Sequence, residues 1–228
     1  MLSFLLRDYW RYRSEPTRWL SMVAQPLIFW WVLASGLKGD SSLYFSGNLV
    51  FCLLLASMIS GMSLIEDKNS GMIRGILVSP IPKSSLLGGK LIGIGLITVI
   101  QGLLYGIIGY LNHIDIPWAP YSLLCFYYGL TLGALNLAIA WISPSNHAYH
   151  GVISLLWFPL WIISGSLFPV VNTPFEWISY LNPLSYSLES FRDLLKDPSV
   201  FMISWQSIVF LILGIAISYT VISKRPPA

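Results

Sequence analysis

Long apolar stretches alternate with short polar connections along this chain. Six of the stretches have the length of a membrane span, at residues 19–37, 43–65, 88–111, 121–142, 149–168 and 201–222. A helix needs about 20 apolar residues to cross about 30 Å of hydrocarbon. None of the six has a charged residue in its middle third. The pattern therefore predicts an all-α integral membrane protein with six transmembrane helices.

The composition supports the same prediction. Charged residues make up 10% of the 228 residues and hydrophobic residues 55%, whereas about a quarter of a soluble domain is charged. Six spans use most of the length, so we expect residues 1–228 to form a single transmembrane domain surrounded by membrane lipids. No basic arm or basic patch interleaved with aromatic residues is present, which argues against nucleic acid as a partner.

Residues 1–18 have the pattern of an amphipathic helix that lies on the membrane surface. Leucine and tyrosine residues line one helical face, and the opposite face carries Arg7, Arg11 and Arg18. A signal peptide is disfavoured because the apolar residues 2–6 are few and the arginines follow them. We expect this interfacial helix to anchor the first span.

The distribution of Lys and Arg predicts how the spans are oriented. One set of connections and termini carries ten of the 13 basic residues, and the other set carries only Lys38, Arg192 and Lys196. Basic residues accumulate on the cytoplasmic side of a membrane. We therefore expect a multi-pass protein of the cell (inner) membrane with both termini in the cytosol, and with residues 66–87 on the same side.

The segment 66–87 interrupts the apolar pattern between the second and third spans. Asn69 and Ser70 suit the start of a short helix, and Pro80 stops it. The helix has an apolar face formed by Met72, Ile73, Ile76 and Leu77. That face either rests on lipid or docks into a groove of a cytosolic partner.

A second patterned connection, residues 169–199, precedes the sixth span. It is too long for a simple loop, and Asn182 followed by Pro183 divides it into two short helical stretches. We predict a pair of re-entrant or interfacial helices that dip into the outer leaflet.

Glycine pairs spaced as G-x-x-x-G occur in the third span, at Gly89 and Gly93 and at Gly102 and Gly106, and in the fourth span, at Gly129 and Gly133. This spacing lets two helices approach closely. Packing within the chain and a seam between two chains both explain it, and we favour packing within the chain.

Catalytic and nucleotide-binding motifs are absent from the sequence. The stretch "GGKL" is not a phosphate-binding loop, because Ser84 stands where that motif needs Gly and Leu91 where it needs Ser or Thr. Ser166 and His150 stand about 24 Å apart on one helix, too far for a hydrolase pair. We do not expect this chain to be an enzyme.

Metal and ion chemistry also lack candidates. His147 and His150 share a helical face, but no Cys, Asp or Glu lies nearby in sequence to complete a metal site. In the middle of the spans the polar residues are neutral, with Asn48, Gln101 and Asn136 as examples. An ion-driven pump usually needs charged intramembrane groups, so a transporter with this sequence would receive its energy from a partner.

Two stretches resemble the ABC-2 type transporter permease family, in particular its drug and polysaccharide exporters. The first lies around the cytosolic segment, with Glu66, Asp67, Gly71, Leu77, Ser79, Pro80, Gly89 and Lys90 at the family's positions. The second follows the fifth span, with Ser164, Gly165, Pro169, Asn182, Pro183 and Tyr186. The resemblance covers nearly the whole chain.

The resemblance implies that the segment 66–87 is a coupling helix seated in a groove of a separate ATP-binding subunit. The implied coupling residues are Glu66, Asp67, Gly71, Met72, Ile73, Arg74, Ile76, Leu77, Ser79 and Pro80. It also implies an assembly of two ATP-binding subunits with two permeases, either a homodimer or a pair with a paralogous permease subunit. ATP and Mg would bind to the partner, with no cofactor in this chain.

The resemblance also implies two further groups of residues, one along the substrate path and one at an outer gate. The possible path residues are Trp30, Trp31, Asn48, Trp157, Phe158 and Trp161. The possible outer gate consists of Pro169, Asn182, Pro183 and Tyr186. Packing in the core or against lipid explains each aromatic residue equally well.

These observations lead to one preferred function and one alternative. The preferred function is the permease subunit of an ATP-driven exporter. Because aromatic residues are abundant and fixed charges scarce, we expect an amphipathic or lipid-like cargo such as a drug, lipid or glycolipid. The alternative is a membrane scaffold or assembly factor that uses the same cytosolic helix only to recruit a partner.

Overall fold

The computed structural model describes residues 20, 24, 27, 28, 30–32, 41–78, 82–199 and 201–224. Within its helices the side chains of residues 41–43, 74, 76, 77 and 224 are not described. The predicted interfacial helix 1–18 and most of the first span, residues 19–37, therefore lie outside the described residues.

The described part of the chain is all-helical. Its helices are α1 (Ser41–Asn69), α2 (Met72–Val78), α3 (Lys83–Leu111), α4 (Trp118–Ile142), α5 (Asn146–Trp161), α6 (Glu176–Ser179), α7 (Pro183–Lys196) and α8 (Trp205–Lys224). Five helices are long and apolar enough to cross a membrane: α1, α3, α4, α8, and α5 together with the π-helical turn that continues it to Ser166. They correspond to the second to sixth predicted spans.

Successive long helices run in opposite directions, which places the connections at two ends of a bundle. Lys83, at the start of α3, donates to the carbonyl of Ser223 near the end of α8. Lys68, near the end of α1, donates to the carbonyls of Trp141 and Ser143 at the end of α4. We call this end, which carries α2, the α2 end. The opposite end carries α7 and is called the α7 end.

Helix α1 lies at the centre of the bundle and is mostly buried by the rest of the chain. It packs against α3, α4, α5 and α7. Helices α5 and α8 lie at the periphery and expose most of their surface, including large side chains such as Leu155 and Ile212. In a membrane such surfaces face lipid or another subunit, because water is absent there.

The glycine pairs bring α3 and α4 into close contact, which confirms packing within the chain. A Cβ atom added at Gly129 or Gly133 of α4 would meet Thr98 or Ile94 of α3. In return, a Cβ at Gly102 of α3 would meet Cys125 of α4. The two helices approach as closely as these glycines allow.

Helix α5 does not continue regularly to the α7 end. It contains Pro159, which cannot donate a backbone hydrogen bond. A π-helical turn, Ile162–Ser166, follows, and Gly165 in it has a φ of 89°. Here the chain passes against α1, because a Cβ at Gly47 would meet the backbone carbonyl of Ser166. A side chain at position 47 would force the two helices apart.

We predict that Gly129→Ala lowers the stability of the folded protein by about 1–3 kcal/mol, the usual cost of overfilling a packed interior. The added methyl group would meet Thr98, whose β-branched side chain is rotationally stiff and donates to the carbonyl of Gly95 at 2.9 Å. Thermal unfolding of the purified protein in detergent measures the change.

The matched control is Gly151→Ala, since nothing lies within 4 Å of a Cβ atom there and the residue is exposed on α5. It should unfold at the wild-type temperature or slightly above it. Equal shifts for the two variants would contradict the close packing of α3 on α4.

Candidate functional site

A sharp joint separates α2 from α1. Gly71 has a φ of 75°, a left-handed conformation that glycine adopts readily. Its backbone N–H donates to the carbonyl of Lys68 at 3.1 Å, which closes the last turn of α1. A Cβ atom at this position would meet nothing within 4 Å. The glycine is therefore required by the turn, and α2 leaves the bundle immediately after it.

Helix α2 is attached on one side and bare on the other. Ile73 is fully buried and Met72 half-buried against the core. Gly75 is exposed with open space beyond it, and Val78 is 88% exposed. Among its described residues, the short helix is thus held by its inner face and exposes Gly75 and Val78 on the opposite face.

Several predicted coupling residues are only partly described or not described. The side chains of Arg74, Ile76 and Leu77, and the whole of Ser79 and Pro80, lie outside the described residues. Their role stays a prediction.

A buried ion pair joins α1 and α3 close to the point where α1 ends. The Lys90 ammonium of α3 lies 2.9 Å from a carboxylate oxygen of Asp67 in α1, and both side chains are almost fully buried. The same ammonium donates to the Ser63 hydroxyl at 2.6 Å. Asp67, predicted as a coupling residue, therefore points into this chain, and the neighbouring Glu66 is half-buried.

Lys68 makes a second connection at the α2 end. Its ammonium donates to the carbonyl of Trp141 at 2.7 Å and to that of Ser143 at 2.9 Å. These carbonyls belong to the end of α4, where unpaired acceptors and the helix dipole favour a cation. Sequence reasoning missed this contact. The sequence did contain a signal for the contact: Lys68 lies at the end of one span, and Ser143 follows the end of another.

The predicted path residues fall into two groups. Asn48, Trp157 and Trp161 are buried and bonded within the chain. The Asn48 amide donates to the Tyr105 hydroxyl at 2.9 Å, and Trp161 donates to the carbonyl of Gly47 at 3.0 Å. These side chains hold α1 to α3 and to α5.

The other three path residues are more accessible. Trp30 packs edge-on against Phe45 and Tyr105. Trp31 is 73% exposed and Phe158 is 52% exposed. That these six residues line a substrate path stays a prediction.

Asn136 connects α4 to α1 and α5 inside the bundle. Its amide nitrogen donates to the Ser57 hydroxyl of α1 at 2.8 Å. Its amide oxygen accepts from the Trp157 indole of α5, also at 2.8 Å. A buried amide without such partners is costly in a low-dielectric interior. Asn136 was recognised from the sequence as a neutral polar group, but its partners on α1 and α5 were not.

A cleft of about 240 Å³ lies between α1 and α5. Its lining is almost entirely apolar and aromatic, and consists of Phe51, Leu54, Leu55, Met58, Ile153, Ser154, Trp157 and Phe158. Two of these residues, Trp157 and Phe158, were predicted from the sequence. The cleft has the chemistry of a site for an apolar group.

The predicted outer-gate residues lie at the α7 end. Asn182 caps α7 by accepting from the N–H of Leu184 at 3.0 Å, and it donates to the carbonyl of Leu160 in α5. Pro183 occupies the first turn of α7. Tyr186 donates to the carbonyl of Tyr180 at 2.6 Å, whereas Pro169 is exposed. Their role as a gate stays a prediction.

Arg192 fastens α7 to the rest of the bundle. Its guanidinium donates to the carbonyl of Gly165 at 2.8 Å and to the Ser46 hydroxyl at 3.3 Å. Burial lowers the pKa of this group, and the carboxylate of Glu189 opposes the shift. An arginine stays charged in either case, so the contact is a permanent charge-assisted one.

No group of three or more His, Cys, Asp or Glu side chains that could hold a metal ion occurs among the residues that the structure describes. The two cysteines, Cys52 and Cys125, are buried and unpaired.

The geometry so far defines an all-helical, multi-pass membrane protein with a short helix presented at one end. Comparison with known families is more specific, since residues 1–195 match the model of the family described as ABC-2 type transporter. The chain therefore belongs to the ABC-2 type transporter family. Membrane subunits of this family have no ATPase activity, and a separate ATP-binding subunit is the expected partner.

Individual relatives of low sequence identity are also described as permeases. A putative transport permease, ycf38, from Cyanophora paradoxa is 26% identical over 93% of this chain and 83% of its own length. The probable multidrug ABC transporter permease YbhR from Escherichia coli K12 is 27% identical over 66% and 42%. The daunorubicin resistance ABC transporter permease protein DrrB1 from Streptomyces coeruleorubidus is 23% identical over 88% and 76%.

We predict that Asn136 and Trp157 are energetically coupled. A double-mutant cycle with Asn136→Leu and Trp157→Phe, measured by unfolding in detergent, should give a coupling free energy of about 0.6–1.7 kcal/mol, as other hydrogen bonds between membrane helices do.

The control cycle combines Asn136→Leu with Trp161→Phe, because the Trp161 indole donates to Gly47 instead. That pair should be additive. Additive behaviour of both cycles would show that the Trp157–Asn136 hydrogen bond does not stabilise the protein.

Proposed function

We propose that this chain is the membrane subunit of an ATP-driven exporter and that α2 is the helix received by the ATP-binding subunit. The observation that carries the proposal is the two-sided character of α2. Its inner face is anchored through buried Ile73, and its outer face leaves Gly75 and Val78 bare. A short helix presented in this way suits docking into a groove of another protein.

The proposal places the α2 end in the cytosol, where ATP is available. Lys68, Lys83 and Lys90 all belong to this end, as does the end of α8. An excess of basic residues on the cytoplasmic side supports this orientation. With residues 19–37 as a further span, the chain would have six spans and both termini in the cytosol.

The energy source would lie outside this chain. ATP and Mg would bind to the partner subunit, and two copies of the partner would act on two permease subunits. The buried polar groups of the spans support this division of labour, because Asn48 and Asn136 are neutral amides bonded to neighbouring helices.

We predict that Val78→Asp reduces the amount of ATP-binding subunit that co-purifies with the chain from native membranes. A carboxylate on the exposed face of α2 would have to be desolvated in an apolar groove. Because Val78 is 88% exposed, the substitution should leave the folding of the permease unchanged.

Val171→Asp is the matched control, since Val171 is 69% exposed at the α7 end. It should retain the subunit at the wild-type level. Recovery of an ATP-binding subunit with both variants at the wild-type level would show that the exposed face of α2 is not the contact. If no ATP-binding subunit co-purified with either variant or with the wild-type chain, the result would favour a scaffold over an exporter.

The cargo that we propose is amphipathic or lipid-like. The apolar cleft between α1 and α5 supports this, with Ser154 and the aromatic rings of Trp157 and Phe158 along its wall. The names of two relatives, one a probable multidrug permease and one a daunorubicin resistance permease, point to the same chemical class.

We predict that Ser154→Trp, which fills the cleft, reduces export of daunorubicin, used here as the amphipathic probe. Cells that express the chain with its ATP-binding subunit would retain more of the fluorescent drug. Val152→Trp is the control, because Val152 is exposed on the same helix and does not line the cleft. Equal drug retention in the two variants would exclude the cleft as the route.

A further inference from the structure

The pair formed by Asp67 and Lys90 joins the two helices between which α2 is suspended. Helix α1 ends at Asn69, two residues after Asp67, and α3 begins at Lys83, about two turns before Lys90. The carboxylate and the ammonium are 2.9 Å apart, with both side chains almost fully buried. Neither group is available to a partner on the surface of α2.

A displacement of α2 would pull on both helices at once, because the chain enters α2 from α1 and leaves it toward α3. Without a cross-link the ends of α1 and α3 could separate and absorb the movement. The ion pair and the added Ser63 hydroxyl, 2.6 Å from the ammonium, prevent this separation.

Another side-chain bond between α1 and α3 lies far along the bundle. Asn48 donates to the Tyr105 hydroxyl. Along the helix axes, Asn48 lies about 28 Å from Asp67 in α1, and Tyr105 lies about 22 Å from Lys90 in α3. These bonds join α1 and α3 at distant levels, and most of the described buried side chains between them are apolar. Because α1 and α3 are bonded near both of their ends, we expect the two helices to move together as a rigid body.

We infer that Asp67 and Lys90 are positioning residues that transmit the movement of α2 to the α7 end by keeping α1 and α3 together. The inference rests on the proposed function, because it assumes that an ATP-binding subunit moves α2. It reassigns Asp67 from a contact residue to one that acts within the membrane subunit.

The test uses the full complex with its ATP-binding subunit in lipid nanodiscs. Leu111→Cys, at the exposed end of α3, carries a fluorophore that reports movement at the α7 end. The native cysteines are both buried, so the added thiol is the reactive one. The signal is the change in fluorescence when ATP and vanadate are added.

The test variant is Asp67→Asn combined with Lys90→Met, which removes both charges and leaves neither unpaired. Asp193→Asn combined with Lys196→Met is the matched control, since these two residues are exposed on α7. We expect the test variant to bind the ATP-binding subunit and hydrolyse ATP like the control, but to lose the fluorescence change.

A wild-type fluorescence change in the test variant would overturn the inference. Loss of the ATP-binding subunit from the variant alone would also overturn it, because the pair would then shape the docking surface. Absence of that subunit from wild-type complexes would instead contradict the proposed function itself, and the inference with it.

If the neutral pair fails to accumulate in the membrane, the charge-reversed pair Asp67→Lys with Lys90→Asp replaces it. A folded charge-reversed complex that responds to ATP and vanadate supports the inference. One that binds and hydrolyses ATP without the response overturns it, since an ion pair between α1 and α3 would then be insufficient.

Discussion

The ion pair between Asp67 and Lys90 constrains the whole α2 end of the molecule. A charge removed from water needs an opposite charge and hydrogen bonds close by, and breaking a buried pair costs about 3–5 kcal/mol. Here the partners come from α1 and α3, with Ser63 as an additional acceptor. The two helices must therefore meet at this level, and α2 must leave the bundle just beyond it.

Polar contacts continue from this point along α1, toward the α7 end. Tyr149 of α5 donates to the carbonyl of Met58, Asn136 joins Ser57 to Trp157, and Trp161 donates to Gly47. Each contact satisfies a group that lipid cannot satisfy. The central position of α1 follows from these contacts, and the peripheral α5 is held to it at successive levels.

The same residues bear on both stability and the proposed transport. Trp157 donates to Asn136 and also lines the cleft between α1 and α5. A rearrangement that opened this cleft would have to keep or replace the hydrogen bond. The cleft has few polar groups, so an apolar portion of a cargo would fit its chemistry better than an ion would.

The sequence by itself determined the membrane class, five of the spans that the structure describes, the family and the short helix between the second and third spans. These features depend on local periodicity, on helix-stopping residues and on motifs within a few turns. Only the tertiary structure decided that Asp67 pairs with Lys90, that Lys68 reaches the end of α4, and that Trp157 and Trp161 donate inside the bundle. Such pairings join residues that are distant in sequence. Hydropathy records that a polar group lies in a span, but not which helix supplies its partner, because that depends on how the helices pack.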